Sequence, residues 1–296
     1  MPLLADAAAP PPPVDAAPLA PADAAIPIGA PSPDARTTPA ADGAPPAADG
    51  PVASRSAGCG KPAMGTSRYE RRTILVAGVE REYFTWVPRG YDPNRAYPLI
   101  FRWHGTGGNG TSGGLEIQDA ADEDGLVASP SATGGVWSLE ADSPDMALFD
   151  ALLAHLEDTL CVDRGRVFSY GFSRGAAFTN LLACVRSSVL RAVAPIDGLS
   201  GGDHCTGRVA AWITHGSADT TVPLAVGMSV RDRYLSLDGC GAATIPEAPA
   251  PCVRYQGCAA GYPVVWCQTT SEHDPQAKFT APGAWEFFNS LAPLSP

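Results

Sequence analysis

A serine hydroxyl attacks a carbonyl only when a neighbouring group takes its proton. Residues 171–175, Gly-Phe-Ser-Arg-Gly, place one in a setting suited to that chemistry. In a G-x-S-x-G pattern the serine occupies a sharp strand-to-helix turn with strained backbone angles, where side chains two positions to either side would collide. The strand-like run 167–171 leads directly in and the helix-like run 176–186 directly out. Ser173 is therefore the candidate nucleophile of an acyl transfer. The helix that opens beside it offers free N–H groups to a developing oxyanion. A second glycine cluster, His104-Gly105-Thr106-Gly107-Gly108, follows the apolar run 98–103, and glycines let backbone approach a substrate oxygen closely. The backbone amides of Thr106 and Arg174 are the candidate oxyanion donors, each worth ~3 kcal/mol of transition-state stabilisation. His104 then organises its loop rather than carrying a proton. Trp103 and Trp137 are candidate pocket-lining side chains, with burial in the core as the competing reading.

These residues act together only if the fold positions them. Runs 73–77 and 81–87 around Gly78 read as an opening hairpin. In 145–160, Met146, Phe149, Leu152, Leu153, Leu156 and Leu160 recur at helical spacing. Further strands are expected at 98–103, 167–171, 192–196, 209–214 and 264–268, and further helices at 176–186, 224–237 and 285–291. Strands alternating with helices imply an α/β fold, a mostly parallel sheet covered on both faces. Ligands of such sheets bind beyond the carboxyl ends of the strands, where the motif residues fall.

The chain has five histidines, at 104, 155, 204, 215 and 273. When the nucleophile sits on such an elbow, acid and base follow it in that order, each on a loop after a strand. His215 ends the strand 209–214 but precedes the nearest acid, and His204 sits in a Gly-rich loop before that strand. His273, just after 264–268, fits as the base. Asp219, just past 209–214, fits as the acid that holds the imidazole tautomer without taking its proton. Asp197, after 192–196, is the rival acid.

Residues 1–58 are mostly Ala, Pro, Asp and Gly, without an aromatic side chain. Such a segment buries too little apolar surface to offset the entropy of ordering it and reads as a disordered linker, stiffened by its prolines. Residues 59–296 hold all six Trp and all eight Cys and suit one domain. The formal charge of −11 divides into −4 for the tail and −7 for the body. A negative body disfavours nucleic acid as a partner. No apolar run approaches the ~20 residues of a membrane-spanning helix. The cysteines show no CxxC pair and no matching histidines, so disulfides are a better reading than zinc, which places the chain outside a reducing compartment. No signal-peptide pattern is evident at the start of the sequence.

Several motifs in order carry a family likeness: Cys59-Gly60, Tyr91-Asp92-Pro93, Cys161-Val162-Asp163, 167–175, 216–223, and 258–267 with Gly261-Tyr262-Pro263-Val264-Val265-Trp266. In these the body resembles extracellular feruloyl esterases, whose superfamily includes polyhydroxybutyrate depolymerase-like esterases. The resemblance implies a single secreted, disulfide-bonded α/β-hydrolase domain that needs no cofactor; no metal is expected, and the protein is expected to act as a monomer. It supports Ser173, Asp219 and His273 by position. The implied substrate is a polymer-linked ester, a hydroxycinnamoyl group on plant cell-wall xylan. A polyhydroxybutyrate depolymerase-like or acetyl-ester hydrolase is the alternative, and an inactive polymer-binding relative a third reading. One departure stands out: the family places Gly before its histidine and Trp-Pro shortly after, whereas here Glu272 precedes His273 and Asp274-Pro275 follow. That removes a stacking surface for an aromatic acyl group. Because strand 167–171 and helix 176–186 run in opposite directions from the elbow, Cys161 and Cys184 are expected to pair.

Overall fold

The computed structural model describes residues 54–62, 68–202, 205 and 207–294. The expected linker before Ser54, and His204, lie outside the described residues. Residues 54–58, grouped with the tail by composition, are bonded to the body. The Ser56 amide donates to the Val162 carbonyl at 3.0 Å and that of Gly58 to the Glu157 carbonyl at 2.7 Å, while the Ser56 hydroxyl donates to the Leu160 carbonyl at 2.7 Å. Small polar residues carry no hydrophobic signature, so composition does not register such a segment.

The hairpin β1 (Arg68–Val76) and β2 (Val79–Trp86) opens the chain. It is followed by β3 (Tyr97–Trp103), α1 (Ile117–Ala121), β4 (Leu126–Pro130) and α2 (Pro144–Thr159). Next come β5 (Val162–Phe172), α3 (Arg174–Val185), β6 (Ala192–Ile196), β7 (Ala210–Gly216) and α4 (Leu224–Asp238). The chain closes with β8 (Thr244–Pro246), β9 (Cys252–Tyr255), β10 (Val264–Thr269) and α5 (Ala277–Asn289). The strands form one sheet in the order β1-β2-β4-β3-β5-β6-β7-β10-β9-β8. From β4 to β10 the pairing is parallel throughout, and the flanking strands add on antiparallel. The chain winds from β3 outward to β4 and then back past β3 to β5. The crevice at the ends of β3 and β5 is the switch point where such sheets bind ligands.

Two apolar layers cover the sheet. Alternation along β3 sends Leu99, Phe101 and Trp103 to one face, against Phe149 and Leu152 of α2, Phe178 of α3 and Tyr234 of α4. Ile100 points to the other face, with Phe168 and Tyr170 of β5, Ala121 of α1, and Ala284 and Phe288 of α5. Ser143 caps α2 by accepting from the Met146 amide, with Pro144 opening the helix. Buried Arg81 and Asp145 pair at 2.6 Å, pinning the hairpin to the start of that helix.

The described cysteines form four disulfides: Cys59–Cys161, Cys184–Cys205, Cys240–Cys258 and Cys252–Cys267. The expected Cys161–Cys184 pair is not made. Cys161 precedes β5 where the incoming segment 54–62 is bonded, so Cys59 reaches it first. Cys184, in the last turn of α3, faces the loop after β6, where its sulfur approaches the Gly201 carbonyl at 3.5 Å.

Candidate active site

The fold forces an unusual backbone at the end of β5. Ser173 has φ 54° and ψ −118°, in the region L-residues avoid. The turn is tight enough that a Cβ on Gly171 would overlap the Gly175 carbonyl, and one on Gly175 would overlap the carbonyls of Trp103 and His104. The Ser173 amide donates to the Ile196 carbonyl at 2.9 Å, tying the elbow to β6.

The structure brings Ser173, His273 and Asp219 together. His273 Nε2 lies 2.9 Å from Ser173 Oγ, and His273 Nδ1 lies 2.7 Å from Asp219 Oδ2. Asp219 Oδ1 accepts from the amides of Thr221 and Val222, both at 2.8 Å. Burial works against ionisation of Asp219, but the His273 bond and those two amides outweigh it and hold the carboxyl below its ordinary range. A carboxylate so held keeps the proton of neutral His273 on Nδ1, leaving Nε2 to accept from Ser173. The Asp219 and His273 loops are laced together, with the Ser217 amide donating to the Thr269 carbonyl at 2.9 Å and that of Ala218 to the Ser271 carbonyl at 3.1 Å.

Asp197 is close but does not bond the imidazole. Its Oδ1 accepts from the Gly216 amide at 2.8 Å and its Oδ2 from the Asp274 amide at 3.2 Å. Asp274 in turn uses Oδ1 to accept from the Gln276 amide at 2.7 Å, at the start of α5. Ligand-type atoms of Asp197, Asp219 and His273 lie within 4.8 Å of one another. Each is already engaged in the hydrogen bonds above, which leaves that cluster poorly suited to a metal.

The 104–108 loop lies against the nucleophile, since the space beside Gly105 is filled by the Phe172 ring and Ser173 Cβ. Buried His104 is fixed at both ring nitrogens: Nδ1 faces the Gly105 carbonyl at 2.7 Å, and Nε2 accepts from the Ala132 amide at 3.1 Å. It therefore organises the loop. The Gly107 amide donates to the Gly135 carbonyl at 2.8 Å, while the Thr106 and Arg174 amides donate to no backbone carbonyl among the described residues.

Trp103 and Trp137 do not line a pocket. Each ring is 0% exposed and belongs to the core, because alternation along β3 and the path of the 131–138 loop turn both inward. They act from behind. The Trp137 indole donates to the His104 carbonyl at 2.9 Å, and the Trp137 carbonyl accepts from Arg174 Nε at 2.8 Å. Sequence reasoning missed Phe172, whose ring centroid lies 4.7 Å from that of His273. It also missed buried Arg102, which donates to the carbonyls of Gly110 and Ser112 and to Ser129 Oγ. The aromatic at the second motif position was the available signal for Phe172; an arginine inside an apolar strand was that for Arg102.

Solved structures with the same fold include an acetyl xylan esterase from Aspergillus awamori, at TM-score 0.60 and 16% identity, covering 74% of this chain and 99% of that one. A feruloyl esterase module from Clostridium thermocellum matches at TM-score 0.56 and 15% identity, covering 80% and 93%. The fold is the α/β-hydrolase fold, and it carries a serine, a histidine and an aspartate in one hydrogen-bonded line, as in serine hydrolases; the curated relatives place it among the carboxylic-ester hydrolases. Among curated proteins, feruloyl esterase D of Neurospora crassa is 32% identical over 269 residues, covering 80% of this chain and 91% of the relative. Feruloyl esterase C of Emericella nidulans is 31% identical over 255 residues, covering 79% and 90%. No protein-family model matches the chain. The chain belongs to the feruloyl esterase family.

Proposed function

We propose that this protein is an extracellular feruloyl esterase that acts as a monomer and releases hydroxycinnamic acids from plant cell-wall xylan, with Ser173, His273 and Asp219 as its catalytic triad. The observation that carries this reading is the continuous relay Asp219–His273–Ser173, bonded at 2.7 and 2.9 Å, in a chain of that family. Four disulfides support an oxidising, extracellular setting. No helix among the described residues is long and apolar enough to cross a membrane. The Ala/Pro-rich tail serves as a spacer ahead of the esterase domain.

His273 Nε2 takes the Ser173 hydroxyl proton as Oγ bonds to the ester carbonyl carbon. The carbonyl oxygen becomes an oxyanion and accepts from the Thr106 and Arg174 amides. Asp219 stabilises the imidazolium. The tetrahedral intermediate collapses, the C–O bond to the alcohol breaks, and the leaving oxygen takes the proton from Nε2. Water then gives its proton to Nε2, attacks the acyl-enzyme, and Ser173 leaves with that proton as the free acid is released.

A short-chain acetyl or polyester substrate is the second reading. It is favoured by Asp274-Pro275 after the base, where the family likeness leads one to expect an aromatic residue. The complete relay disfavours a non-catalytic, polymer-binding role. Hydrolysis of methyl ferulate, 4-nitrophenyl acetate and a polyhydroxybutyrate film by wild type and Ser173→Ala tests these readings. Ferulate turnover that is lost in the variant is expected. Acetate or film cleavage without ferulate moves the substrate to the second reading, and activity in Ser173→Ala overturns the mechanism.

A further inference from the structure

Asp197 is fully buried, yet the acyl-transfer relay makes no direct use of it. It adopts φ 46°, so it and Ser173 are two of six non-glycine residues at positive φ among those described. Strain of this kind persists only where the surroundings enforce it. Asp197 is also where the three loops of the site converge. The residue before it, Ile196, accepts the Ser173 amide at 2.9 Å, and the Asp197 amide donates to the Thr214 carbonyl of β7 at 3.0 Å. One carboxyl oxygen accepts from Gly216, three residues ahead of Asp219, at 2.8 Å. The other accepts from Asp274, the residue after His273, at 3.2 Å.

We propose that, given the acyl-transfer roles of Ser173, His273 and Asp219, Asp197 is a positioning residue whose carboxyl group clamps the loop carrying the base to the loop carrying the acid and so sets the reach of His273 to Ser173. The side chain suits that role, because two amides on two loops need two acceptors diverging from one carbon, which a carboxylate supplies and an amide or hydroxyl does not. The titratable groups facing it are His215 on β7, whose Nδ1 is 3.9 Å from Oδ1, together with Asp219 and His273. Burial pushes the Asp197 carboxyl up, against the pull of the Gly216 amide and of His215. Asp219 is held down. The two neighbouring carboxyl groups thus differ in character, one built to stay charged and the other to hold the loops.

The test is steady-state kinetics on 4-nitrophenyl acetate with Asp197→Asn and Asp197→Gly, alongside Ser173→Ala. Asparagine keeps the shape but turns an N–H₂ toward one of the two amides. Glycine removes the clamp while accepting the positive φ without strain. A displacement of about 1 Å can cost ~10²-fold, so kcat is expected to fall roughly 10- to 100-fold in both variants. KM should stay within about 3-fold, since the loss lies in the chemical step. Near-UV circular dichroism and melting curves report the folded fraction at the assay temperature. Unchanged kcat, or a loss that only tracks unfolded protein, overturns the proposal; if the glycine variant does not fold, the asparagine variant decides by the same criteria. Activity surviving in Ser173→Ala would instead defeat the underlying triad reading, a separate outcome visible in the same assay.

Discussion

Asp219 makes three hydrogen bonds through one carboxyl group, and each is made to its charged form. Asp219→Asn is accordingly expected to lower kcat by about 10³- to 10⁴-fold with little change in KM, because an amide no longer fixes the imidazole tautomer. The same bonds give a pH signature. The folded-state pKa of Asp219 is depressed, so its contribution to stability is present above the unfolded carboxylate pKa and is lost as pH falls through the lower folded value. The difference in Tm between wild type and Asp219→Asn should therefore be full near neutrality and close toward pH ~3. Ser173 was legible in the sequence because its chemistry demands glycines at fixed spacing, and His273 because chain order left few rivals. The sequence favoured Asp219 over Asp197 as the partner of the imidazole, in line with the bond seen, but the two backbone amides bound by Asp197 were not legible. Both follow a strand, and only the direction of each carboxyl group in space distinguishes a partner of the imidazole from a partner of the backbone around it.

At the level of elements, the elbow depends on α3 lying close against the end of β3. A methyl group at Gly175 would meet the carbonyls of Trp103 and His104, which are backbone and cannot swing aside. Gly175→Ala is expected to lower the unfolding free energy by about 3 kcal/mol, measured by urea denaturation, and to reduce kcat through the displaced elbow. Strands with continuous apolar runs were readable, as was α2 with its periodic apolar face. The start of α5 was concealed by Pro282 in its second turn. Short α1 and β4 were also missed, as were the four-residue β9 and the edge strand β8 beyond it. β8 is exposed along its length and carries no burial pattern, and five residues of α1 hold too few turns to show a period.

Taken as a whole, the molecule carries a penalty in its core remote from the site. Asp238, at the end of α4, is 0% exposed. Burial pushes its carboxyl up to about 7, although Arg208 and the Val209 amide pull the other way. Neither oxygen completes a hydrogen bond of good geometry. Because the folded-state pKa is raised, its contribution favours folding below the unfolded carboxylate pKa and is lost as pH rises to about 7. Asp238→Asn should melt higher than wild type at pH 8, by about 2–4 °C per kcal/mol relieved, and the gain should vanish near pH 4. Both residue and effect lay beyond sequence reading, since an acid at a helix end usually faces water. The geometry of β5 has a practical corollary. Segment 54–58 joins the domain at the first residues of that strand, and Ser173 follows its last; Val162 and Gly171 pair with Tyr97 and Trp103 at the two ends of β3, which puts the two ends of the strand roughly 20–25 Å apart. A support or fusion partner coupled directly at Ser54, with residues 1–53 removed, would grip the domain beside the root of the strand that bears the nucleophile at its tip, so such an immobilised preparation should keep its reactive mouth turned toward an insoluble substrate.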